Sequence, residues 1–487
     1  MRPRSFVRDS IGVALSQYLS RAMLLARAAA AAVTLGPAGM GAWNALNLIL
    51  DYGAYASSGA LQGLDLRLPG AVERGDRERA RNAMAGAWSA VLLGGALFVL
   101  LVAVVLISGD RALERPWGWG APALMLVAVL FQLSILYHAS ALRAHGNFGA
   151  VSGALSVQAV VGGGLGLGSV WFWGVWGLLW GWIAGSAVAL VWLRRSSHPV
   201  PLRPQHVGEG LGLVRLGLPV FASFALSLVL RSLDRFALVR YAPPEALGQY
   251  SLGLMAAGLA LYLPESAASV LYPRIAAAAH GGHDSERTRS QVLRTHRALA
   301  VVMPLLVGGG MLWAAPLTAR LLPAFRDGIP ALHVLALGAL MLSAATVPTY
   351  YLLGTGRSRE LLAVMAGATL LTAAMVFSVA ARDQRPASIA FASSVGYATL
   401  ALGLVGLAAR RLVATGVERW RLVAGSFIPS MWAGSLALGL CTVGPPEGFG
   451  AAVLRSAAFG LGYLPVLVWL GRGHGLSRWF REGGTPS

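Results

Sequence analysis

An all-α, polytopic membrane protein of about fourteen transmembrane helices is the fold class this sequence predicts, on three observations. The 487 residues are 56% hydrophobic and only 12% charged, with mean hydropathy +0.64, whereas a soluble domain carries about 25% charged residues. Apolar runs recur from end to end, each long enough at ~1.5 Å per residue to cross ~30 Å of hydrocarbon. Between them, arginine-rich and arginine-poor connectors alternate.

The spans fall, in order and to within a few residues, at about 11–34, 40–65, 83–108, 119–142, 149–169 and 171–193. The remainder lie at about 213–239, 246–272, 298–321, 329–354, 361–381, 387–409, 422–443 and 450–471. The first is read as a retained helix. Arg2, Arg4 and Arg8 precede a segment too long for a signal peptide, and Arg21 and Arg27 interrupt it. In the fifth, the GGGLGLG run at 162–168 has no phosphate-loop context and reads as a close-packed or kinked helix. With this count, 27 of the 39 arginines fall in connectors on one side, 7 on the other and 5 within spans. The positive-inside rule then puts both termini in the cytoplasm.

Composition also excludes functions. All 39 basic residues are arginine, so no P-loop lysine exists to reach nucleotide phosphates. The net charge of +19 reads as topology signal and contact with anionic lipids, not as a nucleic-acid surface. The single cysteine, Cys441, cannot form an intrachain disulfide. His280 and His283 share a loop with no accompanying ligand set, so no metal is expected. The outer loops offer only scattered acids (Asp110, Glu114, Glu245, Asp327, Asp383 and Glu447), which is no catalytic constellation. A membrane glycosyltransferase or polymerase would need one in a sizeable outer loop, so no enzyme is expected.

The stretch 231–274 carries charge inside a transmembrane hairpin. Arg231, Asp234 and Arg235 stand at i, i+3 and i+4, one face of a continuous helix, and Glu265 lies within the next span. Intramembrane charges face water or a partner and so mark a pathway. An offset of 207 residues superimposes the second span on the eighth. Pro37 meets Pro244, Gly41 meets Gly248, Trp43 meets Tyr250 and Tyr55 meets Tyr262. Polar residues keep register: Asn44, Asn47, Asp51, Tyr55, Ser58 and Gln62 step down one face, as do Tyr262, Glu265, Ser269 and Tyr272. Six helices per offset make the repeats parallel. The expected division is 1–205 and 206–415 for two six-helix lobes and 416–487 for an additional pair with a tail.

The segments LGPAGMGAWNALNLIL, LDRFALVRYAPPEALGQYSLG and LYPRI resemble the polysaccharide biosynthesis family, the O-antigen and exopolysaccharide flippases of the multidrug, oligosaccharidyl-lipid and polysaccharide exporter superfamily. The resemblance implies two lobes around a central cavity opening alternately to each side. It also implies an undecaprenyl-diphosphate-linked glycan as cargo, with membrane lipids and a polysaccharide polymerase as partners. A lipid II flippase and a multidrug antiporter are the rivals within the superfamily.

An anionic diphosphate suits arginine, which holds phosphate oxygens in a bidentate fork. Arg21, Arg27, Arg231 and Arg235, on the first helix of each half, are the candidate cations. Asn47, Tyr55, Tyr262 and Glu265 are expected to line the cavity, with the tyrosines available to sugar rings. Asp51 either pairs with Arg27 or Arg21 or holds a coupling proton or sodium ion; no other cofactor is expected. Because the offset maps Arg27 onto Asp234, those two are expected at one depth on opposite walls.

Overall fold

A computed structural model of the chain describes residues 3–108, 118–196, 200–279, 285–445 and 447–474; side chains before 23, at 285 and after 468 are also left undescribed. Everything regular among these residues is helical, and the chain forms two compact units, Met1–Gly248 and Gln249–Ser487.

The first unit opens with α1 (Pro3–Gly53), broken at Gly36, where φ 63° and ψ −175° are accessible to glycine but strained for an L side chain. Pro37 follows, its fixed φ suited to the first position of a new helix. This break separates the first two expected spans. The second span is itself interrupted: α1 ends at Gly53, residues 54–59 form consecutive tight turns through Ser58 (φ 48°), and the chain resumes as α2 (Ala60–Glu73). Next come α3 (Arg77–Ile107), α4 (Gly120–Ala144), α5 (Phe148–Trp173) and α6 (Val175–Arg195). Local chemistry sets their starts. Asp76 and Asn147 accept the amides of Arg79 and Ala150 as N-caps of α3 and α5. The glycine-rich run behaves as expected, since Gly162 of α5 lies against Gly181 and Gly185 of α6 with backbones in direct approach.

The seventh expected span is two helices, α7 (Val207–Leu230) and α8 (Leu233–Tyr241), with non-helical residues 231 and 232 between them. Arg231 caps α7 while Asp234 and Arg235 begin α8. The expected single helical face for the three is therefore corrected, because a helix break intervenes. The first compact unit runs on through Gly248 and so takes in α7 and α8. Its linker is anchored, with Tyr137 Oη donating to the Pro201 carbonyl at 2.7 Å and Ser89 Oγ to that of Gln205 at 2.9 Å. Then α7 packs on α2 and α3, Gly63 against the Leu213 backbone and Gly86 against Gly210, with Arg67 paired to Glu209 at 2.8 Å.

The second unit contains most of α9 (Pro244–Ala279), then α10 (Ser285–Leu321), a 3-10 turn (Pro323–Gly328), α11 (Ile329–Gly354), α12 (Ser358–Ala380), α13 (Pro386–Leu412), α14 (Gly416–Cys441) and α15 (Phe449–His474). The last pair is part of this unit rather than an appendage. His296 and Trp313 of α10 meet Ser426 of α14 at 2.7 Å and Ser456 of α15 at 3.1 Å, and Tyr463 Oη donates to the Val301 carbonyl at 3.0 Å. Phe459, Tyr463 and Ala433 join Met303, Met311 and Leu340 in one core cluster. Among the described residues, 13 helices are long and apolar enough to cross a membrane; the break at Gly36 divides the first of them, which reconciles that number with the expected fourteen.

The repeat leaves a physical trace at the start of its two matched helices. A methyl group on Gly41 would fall on the carbonyl oxygen of Pro244, and one on Gly248 would fall on that of Pro37. Each proline thus meets the glycine of its repeat mate, the reciprocal contact a two-fold relation requires. Gly41→Ala or Gly248→Ala should lower the apparent Tm in detergent by several degrees, from about 1–3 kcal/mol of overpacking. The double variant should lose less than the sum, because both changes open the same crossing. Unchanged melting of both single variants would show that the helices do not cross there.

Candidate functional site

Two groups of polar side chains lie within the membrane-spanning part of the first unit. The first gathers where α1 ends and α7 breaks. Arg235 Nη1 donates to Asp51 Oδ2 at 2.9 Å, joining α8 to α1. Tyr52 Oη lies 2.6 Å from Ser232 Oγ. Ser232 also donates its single proton toward the carbonyls of Leu228 and Val229 at 2.8 and 3.1 Å, so Tyr52 must be the donor to Ser232. The Tyr52 ring meets Phe236 edge to face at 5.3 Å. Asp234 is fully buried in the first turn of α8, where the helix dipole favours a carboxylate, and its Oδ1 accepts the amide of Arg235 at 2.7 Å. Backbone freed at a helix break in a bilayer needs such polar neighbours.

The ion pair is asymmetric. The Arg235 side chain is 13% exposed and its Nε has no acceptor, whereas Asp51 is 40% exposed. Asp51 lies on the open face of α1, where Asn44, Asn47 and Asp51 are half-buried and Leu46, Leu48 and Ile49 are buried. The two asparagines donate back to their own helix, Asn47 Nδ2 to the Trp43 carbonyl at 3.1 Å and Asn44 Nδ2 to that of Met40 at 2.7 Å. Tyr55, in the turn after α1, lies 6.2 Å from the Phe221 ring of α7.

The second group surrounds Arg27. Its aliphatic stem rests on Gly166 of α5, its guanidinium carbon stands 5.3 Å from the centre of the Trp182 ring of α6, and its Nη1 is sealed with no acceptor among the described residues. Trp182 Nε1 is likewise sealed and without a partner. One turn further along α6, Ser186 accepts from Gln158 of α5 at 3.0 Å, and Gln158 also donates to Gln132 of α4 at 3.2 Å.

Asp51 therefore pairs with Arg235 rather than with Arg27 or Arg21, since the break after α7 turns Arg235 toward α1. Arg27 stands instead against α5 and α6. The Arg21 side chain, His280 and His283 lie outside the described residues. In the second unit, Tyr262 and Ser269 of α9 are exposed, Glu265 is half-buried, and Tyr272 meets the Tyr350 ring of α11 at 6.0 Å. Tyr52, Ser232 and Trp182 escaped sequence reasoning. Tyr52 maps at the repeat offset onto Leu259, so the comparison passed over it, and Trp182 is one of 15 tryptophans in an apolar run.

Residues 68–278 match the sequence family described as "Polysaccharide biosynthesis protein", which supports the resemblance read from the sequence. The match includes Arg231, Asp234, Arg235, Tyr262 and Glu265. Among curated proteins none matches. Among solved structures the chain is similar to the lipid II flippase MurJ in an inward closed conformation, with TM-score 0.68 and 11% identity over 95% of this chain and 99% of that one. It is also similar to an inward-facing multidrug resistance MATE family transporter of the MOP superfamily, with TM-score 0.65 and 16% identity over 83% of this chain and 94% of that one. A third is a MOP superfamily transporter from Pyrococcus furiosus, described as having a binding pocket of reversed polarity, with TM-score 0.58 and 16% identity over 86% and 95%. The chain shares the fold of these structures and is a multi-pass membrane protein.

Proposed function

We propose that this protein translocates an undecaprenyl-diphosphate-linked oligosaccharide across the cytoplasmic membrane by alternating access, with both termini in the cytoplasm. The observation that carries this reading is the polarity of the membrane-embedded side chains. Arg27 presents a guanidinium whose Nη1 meets no acceptor among the described residues, and Arg235 presents a second cation at the break after α7. An arginine inside a bilayer is retained where an anion or a cavity compensates it, and a lipid-linked diphosphate supplies that anion together with an apolar tail. The match to polysaccharide biosynthesis proteins across 68–278 supports the glycan. A proton or sodium gradient, acting at Asp51, is the energy source consistent with the absence of a P-loop lysine. A polymerase that consumes the translocated glycan is the natural partner, and the protein itself carries out no covalent step.

Lipid II export is the second reading, favoured by the likeness to MurJ. Cation export of the multidrug kind fits less well, because a cation pathway favours acidic over basic lining groups. Proteoliposomes carrying the purified chain should move a fluorescent undecaprenyl-diphosphate oligosaccharide between leaflets and leave ethidium uptake at the level of empty vesicles. Ethidium transport without lipid-glycan movement would reject the proposal.

A further inference from the structure

We infer that Trp182 is a positioning residue for Arg27, holding its guanidinium ready for a phosphate group; this rests on the proposed role of Arg27 as a diphosphate-binding cation. Three observations carry it. The guanidinium carbon of Arg27 lies 5.3 Å from the Trp182 ring centre, within the reach of a cation–π contact. Arg27 Nη1 and Trp182 Nε1 are both sealed from solvent and neither meets an acceptor among the described residues. The stem of Arg27 is confined from the other side by Gly166, where any larger residue would displace it.

Both unmatched groups are donors only. Sealed donors without an acceptor carry a desolvation cost in this state, and a state that brings an acceptor to them recovers it. A neutral hydrogen-bonding partner is already provided elsewhere in this unit, where Gln158, Gln132 and Ser186 satisfy one another. Around Arg27 no such partner lies among the described residues. A phosphate group brought to this site would supply the acceptors that the two N–H groups lack, while the indole face stabilises the guanidinium during the part of the cycle when the phosphate is absent. Trp182 therefore sets the plane in which Arg27 presents its fork, and its own N–H adds a preference for an oxyanion over an uncharged headgroup.

The test uses the full chain in phosphatidylcholine nanodiscs, titrated with undecaprenyl diphosphate and, separately, undecaprenol. Trp182→Phe keeps the aromatic face and the packing but removes the donor; it should weaken diphosphate binding about threefold. Trp182→Leu removes both and should weaken it about tenfold or more. Undecaprenol binding should stay unchanged in each, which a merely structural role for the indole would not produce. If both variants bind diphosphate as the parent does while Arg27→Ala does not, the role of Trp182 is refuted and the Arg27 site stands. If Arg27→Ala also binds normally, the site itself is misassigned and this inference falls with it. Equal loss of undecaprenol and diphosphate binding would reduce Trp182 to packing. Displacement of diphosphate by phosphatidylglycerol added to the bilayer would show a site for any phospholipid headgroup and overturn the diphosphate preference.

Discussion

Arg27→Ala should lower translocation of the lipid-linked glycan by about ten- to a hundredfold, with the chain still inserted and folded. The magnitude follows from losing a charge-assisted hydrogen bond to phosphate, about 1.5–3 kcal/mol. Insertion is expected to survive because the substitution removes a sealed, unmatched donor and leaves only a small cavity beside Gly166 and Trp182. Stability and activity should therefore move in opposite directions, with equal or higher Tm and lower transport. Arg27→Lys should recover only part of the activity, since an ammonium keeps the charge and loses both the planar fork and its stacking on the indole. Normal transport by Arg27→Ala would remove the residue from the site.

The pair formed by Asp51 and Arg235 should respond asymmetrically to truncation. Asp51→Ala strands a guanidinium that is 13% exposed and whose Nε already lacks an acceptor, so a loss of about 2–3 kcal/mol is expected. That is below the value for a fully buried pair because Asp51 itself is 40% exposed. Arg235→Ala leaves a carboxylate that is 40% exposed rather than enclosed, so the loss should be smaller. Removing both as Asp51→Ala with Arg235→Ala should cost less than the sum of the two single changes, because no charge is left without a partner. Thermal melting of the four proteins in one detergent forms the cycle. Equal losses from the two single variants would refute the asymmetry, and an additive double variant would mean that the contact carries no coupling.

This asymmetry also bears on coupling. The open end of the pair is the carboxylate, so a proton or sodium ion arriving at Asp51 would compete with Arg235 for the same oxygen and loosen α8 from α1. The Tyr52 and Ser232 contact beside it holds the same two elements through neutral groups and is indifferent to that competition.

Some of this was legible in residues alone. Apolar run lengths and arginine alternation determine the class and the number of segments, because a span must be long enough to cross hydrocarbon and because charge placement sets its direction. The offset of 207 residues was readable too, and the reciprocal contacts of Gly41 with Pro244 and of Gly248 with Pro37 are its material form. Periodicity could place Asp51, Arg231, Asp234 and Arg235 within spans, but it assumes an unbroken helix. The turns at 54–59 and the break at 231 and 232 depend on polar neighbours from distant helices, which no local window contains. Partner choice followed from those breaks. Arg235 reaches Asp51 because α8 departs from the line of α7, and Arg27 lies on Trp182 because small residues let α1, α5 and α6 approach closely. The sequence by itself determined which residues bear charge and which segments cross the membrane, since both are properties of local composition. The tertiary structure alone decided which charge meets which partner, because such contacts join positions more than 150 residues apart and depend on helix breaks and backbone approach rather than on spacing along one chain.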